Sequence, residues 1–208
     1  MADSLKDKNR WPLYVTMAAN LVILYVAITT GDIISGRWLE VVGHAPGVLP
    51  AGLGLVLTGV LNAQLSSEAK ARIVFLRWAD ALPGSQAFSR HAKADPRVDI
   101  RSLERVYGPL PRAPKEQNAL WYQLYQTVKS DPAVAQSHRE FLFSRDYHCL
   151  SMMMVPVLGT AGYMKIPSTE SALLYLAFLV VQFLLTGRAA RNHGRRFVTT
   201  VLAIKACT

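Results

Sequence analysis

Histidine and cysteine are the side chains in this chain best suited to catalysis or metal binding. No two of the five histidines are four residues apart, which is the spacing at which one helix binds zinc. His148 and Cys149 closely follow Asp146, but neighbouring residues on a helix point to different faces. The glycine-rich phosphate loops and the serine motif G-x-S-x-G do not occur. The sequence therefore predicts no enzyme, no metal site and no cofactor.

Uncharged polar residues inside long apolar stretches are the second group of candidates. Their side chains can hydrogen-bond between the helices of one chain, or they can line a water path formed by several copies. The residues with these two alternative roles, pore lining or interhelical contact, are Asn20, Thr58, Asn62 and Gln182. Small residues at a spacing of four permit close helix packing in the second stretch, where Gly54 pairs with Thr58 and Gly59 with Ala63.

Four stretches without a formal charge must position these side chains. They contain 21, 27, 18 and 17 residues and cover 11–31, 41–67, 147–164 and 171–187. A membrane-spanning helix needs about 20 mostly apolar residues. Charged residues make up only 18% of the chain, and its mean hydropathy is +0.19. The pattern predicts an all-α integral membrane protein with four transmembrane helices in two hairpins.

The uncharged stretches and the charged sequence between and after them divide the chain into four segments. They are an N-terminal transmembrane hairpin (1–65), a cytoplasmic helical domain (66–147), a C-terminal transmembrane hairpin (148–187) and a basic cytoplasmic tail (188–208). All but two of the 23 Lys and Arg residues lie outside the short loops of the hairpins. By the positive-inside rule, both termini and the central domain face the cytoplasm.

Local signals predict the helices of the central domain. The second span has no helix breaker before Pro83, so we expect one continuous helix from the span to that residue. Asp99 can cap a helix that Gly108 ends, and Pro114 can open the next one. Asp131 and the proline after it predict the start of a helix that runs unbroken into the third span.

Aromatic residues of the helix after Pro114 have two interpretations. Trp121 belongs to a stripe of apolar residues, and such stripes usually pack into a core. Alternatively, this face recognises a partner through Trp121, Tyr122 and Tyr125.

A cluster of arginines follows the fourth span. Its position next to a span favours anionic lipid headgroups as the partner, and we expect no direct binding of nucleic acid. The cluster consists of Arg188, Arg191, Arg195 and Arg196. The apolar residues 197–208 are too few to span a membrane and are expected to lie on its surface.

Two apolar hairpins thus flank a helical segment that reads AFSRHAKADPRVD, LPRAPKEQNALWYQLY and REFLFSRDYHCL. This layout resembles small multi-span proteins of the bacterial inner membrane and the membrane effectors of antiphage defence systems, including Hailong-type and SLATT-like effectors. The resemblance implies a homo-oligomer that opens a pore when a partner enzyme or a nucleotide-type signal is released. It assigns no function to an individual residue of this chain.

Two functions remain open at this point. The first is an oligomeric membrane pore or channel-like effector, acting in antiphage defence by membrane disruption. The second is a membrane-anchored scaffold or accessory subunit that docks a soluble cytoplasmic protein. In both cases the lipid bilayer of the bacterial inner membrane is a partner.

Overall fold

The computed structural model describes residues 9–207, and every regular element in that range is helical. The all-α prediction is therefore confirmed for these residues. The first eight residues of the predicted N-terminal hairpin, and Thr208 of the predicted tail, lie outside the described residues. The α-helices are α1 (Arg10–Ile34), α2 (Trp38–Gly43), α3 (Leu49–Gln64), α4 (Ser67–Phe75), α5 (Ala92–Ala94), α6 (Ile100–Tyr107), α7 (Pro114–Val128), α8 (Pro132–Lys165) and α9 (Thr169–Ala206). The other helical elements are the 3-10 helices Ala45–Val48 and Pro83–Gln86 and the π-helix Ala87–His91.

These helices form two compact units. The apolar unit contains residues 9–65 and 146–187, and the basic unit contains residues 66–145 and 188–207. The boundaries lie within two residues of those expected between the hairpins and the central domain. The segment after residue 187, expected to be a separate tail, instead belongs to the basic unit as the end of α9.

Three helical stretches among the described residues are long and apolar enough to cross a membrane, and they indicate a membrane protein. They are Arg10–Ile34, Trp38–Gln64 and Thr169–Ala206. The predicted third span, residues 147–164 within α8, is not among them. This part of α8 is less apolar because it contains His148, Ser151 and Thr160.

The core of the apolar unit combines side chains from four helices. Leu24 of α1, Leu55 of α3, Leu158 of α8 and Leu179 of α9 are all buried there. Many other large apolar side chains of these helices are exposed, including Leu53, which is 72% exposed. An outer surface of this kind is suited to lipid or to another protein rather than to water.

The predicted continuous helix from the second span to Pro83 is wrong. Helix α3 ends at Gln64, and Leu65 is in an extended conformation. The hydroxyl of Ser66 then accepts a hydrogen bond from the backbone N–H of Ala69 (3.1 Å), so Ser66 caps a new helix, α4. Serine is a preferred residue at this position because it satisfies an N–H that the first helical turn leaves unpaired.

The other predicted helix starts are confirmed. Asp99 accepts hydrogen bonds from the backbone N–H groups of two residues in the first turn of α6, and Gly108 ends that helix with a φ of 77°. Pro114 is the first residue of α7. Asp131 accepts hydrogen bonds from two N–H groups at the start of α8, which continues without a break to Lys165.

The core of the basic unit includes the C-terminal end of α9. Phe197, Val198, Val201 and Leu202 are buried in the same cluster as Trp121. The Trp121 ring meets Phe197 edge to face at 5.2 Å, and its Nε1–H donates to the Val198 carbonyl at 3.4 Å. The expectation that residues 197–208 lie on the membrane surface is therefore wrong for residues 197–207, because the apolar face of this stretch packs inside the protein.

Replacing Trp121 tests the contribution of this core. Trp121→Ala removes a buried ring together with its hydrogen bond, and should lower the free energy of unfolding by about 3–5 kcal/mol. Tyr122→Ala on the same helix removes an exposed ring and should change it by less than about 0.5 kcal/mol. Denaturant unfolding of the purified protein, followed by tryptophan fluorescence or circular dichroism, measures both. Equal effects of the two changes would contradict the packing described.

Candidate functional site

A cleft in the apolar unit brings together two of the amides singled out from the sequence. It has a volume of about 360 Å³ and is lined by ten residues of α1, α8 and α9. Apolar side chains form half of the lining. The polar half consists of Thr16, Asn20, Tyr147, Gln182 and Thr186. We call this site the polar cleft.

Each amide of the polar cleft uses its NH₂ group but not its oxygen. Asn20 Nδ2 donates to the Thr16 carbonyl at 2.8 Å, and Gln182 Nε2 donates to the Tyr147 hydroxyl at 2.7 Å. Asn20 Oδ1 and Gln182 Oε1 are buried and have no hydrogen-bond partner among the described residues. An acceptor left in this state costs about 1–3 kcal/mol, so both oxygens favour an additional donor such as water.

A satisfied hydrogen-bond network adjoins the cleft at Thr186. The Thr186 hydroxyl lies 2.9 Å from Ser151 Oγ and 3.3 Å from His148 Nδ1. The His148 ring is 3% exposed and stacks on Phe183 with 4.7 Å between ring centroids. This network joins α8 to α9 beside the cleft and fixes the position of the imidazole.

Gly187 leaves the space that His148 occupies. A Cβ atom at position 187 would lie 2.7 Å from Cε1 of the His148 ring, which is closer than van der Waals contact permits. The absence of a side chain at this position therefore allows α9 to approach the imidazole closely. From the sequence, His148 was notable only as a neighbour of Cys149, and its contact with Gly187 was not predicted.

The other polar and small residues chosen from the second span lie away from the cleft. Thr58 is buried, and its hydroxyl donates to the Leu55 carbonyl of its own helix at 2.7 Å. Asn62 is also buried, and its Oδ1 has no partner among the described residues. Neither side chain lines the polar cleft.

The two glycines of the close-packing pattern face neighbouring helices of the same chain. A Cβ at Gly54 would lie 2.8 Å from Val157 of α8, and one at Gly59 would lie 3.4 Å from Met17 of α1. Ala63 is exposed. The pattern thus serves packing within the apolar unit at its first two positions.

The predicted partner-recognition residues differ in their exposure. Trp121 is 5% exposed and belongs to the core, whereas Tyr122 is exposed. Tyr125 is half-buried, and its hydroxyl lies 3.1 Å from His138 Nδ1. Burial of both rings raises the pKa of Tyr125 and lowers that of His138 to about 4, so both side chains are neutral at pH 7.

The predicted headgroup-binding arginines lie on one stretch of α9 in the basic unit. Arg188, Arg195 and Arg196 are exposed, and Arg191 is half-buried. Arg196 lies 3.6 Å from Glu140, which also lies 3.4 Å from the ring of His193. Arg191 and Arg195 both line a cavity of the basic unit.

Among residues 9–207, no three His, Cys, Asp or Glu side chains are close enough to hold a metal ion. Comparison of the chain with protein-family models, with curated proteins and with solved structures found no match. Any functional interpretation therefore depends on the physical properties of the sites themselves.

Sequence reasoning missed three residues of this site, namely Tyr147, Ser151 and Thr186. Each is a hydroxyl-bearing residue in an otherwise apolar stretch, and this was the only signal available. Tyr147 and Ser151 each hydrogen-bond to a residue 35 positions later in the chain, Gln182 and Thr186 respectively. Which hydroxyl faces which helix depends on the rotation of α8 and α9, and the sequence does not specify it.

A pair of glycine substitutions tests the contact at His148. Gly187→Ala forces the imidazole away from Thr186 and should lower the thermal midpoint, because overpacking typically costs about 1–3 kcal/mol. Gly31→Ala is the matched control in α1, where an added Cβ meets no atom within 4 Å. That change should leave the midpoint unchanged or raise it, since alanine is the better helix former. Thermal unfolding in detergent measures both variants, and a stabilised Gly187→Ala protein would contradict the described contact.

Proposed function

We propose that the protein is a channel-like membrane protein in which several copies together enclose a water path along the polar cleft. The observation that carries this proposal is the pair of amides, Asn20 and Gln182, which line one cleft in an apolar unit with their oxygens unpaired. Both oxygens are buried below the surface of the cleft, and water that enters there would supply the missing donors. Polar groups at membrane depth are also what the passage of water and ions requires.

An oligomer is proposed because a cleft facing lipid would expose polar groups to hydrocarbon. Hydrocarbon offers no hydrogen bonds, so the partly exposed Thr16, Tyr147 and Gln182 would be costly to place against it. A second copy of the chain, packed over the cleft, would exclude lipid and retain water. The exposed apolar residues of α1 and α9 support such contacts.

The proposed orientation places the basic unit and both termini in the cytoplasm of a bacterium, with the apolar unit in the inner membrane. The basic unit contains 18 of the 23 Lys and Arg residues, which supports this assignment. Residues 147–164 of α8 then form the third of four spans in chain order, with His148 and Ser151 directed toward α9 rather than lipid.

The role in antiphage defence is proposed from the sequence resemblance. In this proposal, the basic unit receives a signal from a partner enzyme or a nucleotide, and the apolar unit opens in response. The harm to the host cell is loss of membrane potential.

A second candidate function is that of a membrane-anchored scaffold, and two exposed apolar side chains of the basic unit favour it. Trp78 is 87% exposed and Leu76 is 72% exposed, immediately after α4. Large exposed apolar side chains in a unit with many charges are typical of a protein-binding surface. In this alternative, the apolar unit only anchors the chain.

Topology can be tested with enzyme fusions. Alkaline phosphatase, which is active only outside the cytoplasm, should be active when fused after Ser35 or Ser168 and inactive when fused after Gln117. Activity in all three fusions, or at Gln117 alone, would exclude the proposed orientation.

Permeation can be tested with purified protein in liposomes. The wild type, with its trigger where one is needed, should release a trapped ion-sensitive dye. Asn20→Leu and Gln182→Leu should each reduce the release rate by on the order of tenfold or more, because an apolar constriction excludes water.

Thr58→Val is the matched control for these variants. This change removes a buried hydroxyl, and the valine side chain has nearly the same shape as threonine. Position 58 does not line the cleft. Its release rate should equal that of the wild type. A dye retained by wild-type liposomes under triggering conditions, with cells that keep their membrane potential on strong expression, would exclude the channel and favour the scaffold.

A further inference from the structure

A cavity in the basic unit is lined largely by arginines. Its volume is about 170 Å³, and four of its ten lining residues are arginines. None of the ten is an aspartate or a glutamate. We call it the arginine pocket and define it by Arg77, Arg90, His91, Arg191 and Arg195. Pockets for drug-sized ligands are larger, about 300–1,000 Å³, so this one is suited to a small group.

The side chains of the arginine pocket come from three separate segments of the chain. Arg77 follows Leu76, whose left-handed conformation ends α4. Arg90 and His91 are the last two residues of the π-helix Ala87–His91. Arg191 and Arg195 are one helical turn apart on α9 and therefore lie on the same face.

A buried glutamine holds the π-helix in position. Gln117 of α7 is 1% exposed, and its Oε1 accepts hydrogen bonds from the backbone N–H groups of Phe88 at 3.1 Å and Ser89 at 3.0 Å. Its NH₂ group donates to the Arg112 carbonyl at 2.8 Å. Single π-helical turns occur frequently at functional sites. The hydrogen bonds from Gln117 of α7 connect this one to the core.

Three of the four arginines of the pocket, Arg77, Arg90 and Arg195, lack the acidic partners that other arginines of the basic unit have. Arg97 donates to both carboxylate oxygens of Asp95, at 3.0 and 2.7 Å. Among residues 9–207, by contrast, no carboxylate forms an ion pair with Arg77, Arg90 or Arg195. Cations gathered without a counter-charge repel one another, and a bound anion would remove this cost.

His91 is the buried polar group of the pocket. It is 7% exposed and forms no hydrogen bond with another described residue. Burial lowers its pKa to about 4, and Arg195, Arg90 and Arg77 contribute to the shift. The neutral imidazole at pH 7 retains one N–H that can donate to a ligand.

We propose that the arginine pocket binds a phosphate-bearing anion, which is either a soluble phosphomonoester or the headgroup of an anionic phospholipid. Guanidinium groups form paired hydrogen bonds with phosphate oxygens, and several arginines can bind one phosphoryl group together. The proposal extends the predicted role of Arg191 and Arg195 from a lipid-facing surface to a defined pocket. It does not depend on the proposed channel function.

Binding of inorganic phosphate tests the proposal directly. The full-length protein in nanodiscs of neutral phosphatidylcholine should bind inorganic phosphate and glycerol 3-phosphate saturably at constant ionic strength, as measured by calorimetry. Arg90→Gln and Arg195→Gln should each weaken binding by on the order of tenfold or more. Both side chains are exposed, so neither substitution should prevent the protein from folding. Arg105→Gln, an exposed arginine of α6 outside the pocket, should bind as the wild type does.

The same titration in nanodiscs containing phosphatidic acid identifies the source of the anion. If a lipid headgroup fills the pocket, added phosphate should bind more weakly there than in neutral nanodiscs. If the ligand is soluble, the affinity should be the same in both. A second readout is the imidazole signal of His91, whose pKa a bound anion should raise. Absence of saturable phosphate binding in neutral nanodiscs, or equal binding by all variants, would overturn the proposal.

Discussion

A carbonyl oxygen buried among apolar side chains costs about 1–3 kcal/mol when no donor reaches it. Three buried amide oxygens of the apolar unit are in this state among the described residues, on Asn20, Asn62 and Gln182, and the buried Tyr175 hydroxyl also lacks a partner. Other hydroxyl groups of the same unit are paired, such as that of Thr58 with its own helix and that of Thr186 with Ser151. The unpaired amides therefore mark the places where an additional group, such as water, is required. Two of them share one cleft, and the proposed channel function follows from that coincidence.

The two units differ in their electrostatic requirements. The apolar unit contains few charges, and its polar groups must find partners within the protein or in water that enters it. The basic unit contains an excess of arginines, whose repulsion must be offset by acidic residues or by an external anion. Arg97 and Arg196 have acidic neighbours, whereas Arg90 and Arg195 have none among residues 9–207. In both units, an unmet requirement of a polar group points to what the protein binds.

Helix starts could be predicted where the signal is local. Asp99, Pro114 and Asp131 each act on residues within one turn, so the sequence is sufficient to place α6, α7 and α8. The break at Leu65 was missed because Ser66 lies within an otherwise helical pattern, and the end of α9 was misplaced because an apolar stripe can face lipid or a protein core equally well. The amides Asn20 and Gln182 could be chosen by type, but their shared cleft depends on helix rotation. The arginine pocket joins α9 to segments about 100 residues earlier in the chain, and no sequence pattern indicated it.

Thiol labelling in lipid tests most directly whether the polar cleft contains water. Cys207 is exposed and is first replaced by serine, whereas Cys149 is buried and can remain. Ala19→Cys and Leu185→Cys place a thiol in the cleft, and Leu184→Cys places one on the same helix outside it. Leu185 and Leu184 are similarly exposed in the isolated chain, at 62% and 58%, so a difference between them reports on water rather than on burial. With the protein in liposomes, a charged, membrane-impermeant maleimide should modify the two cleft cysteines at least about tenfold faster than Leu184→Cys, because thiolate forms in water and not in hydrocarbon. Equal and slow modification at all three positions would show that the cleft is dry and would contradict the account.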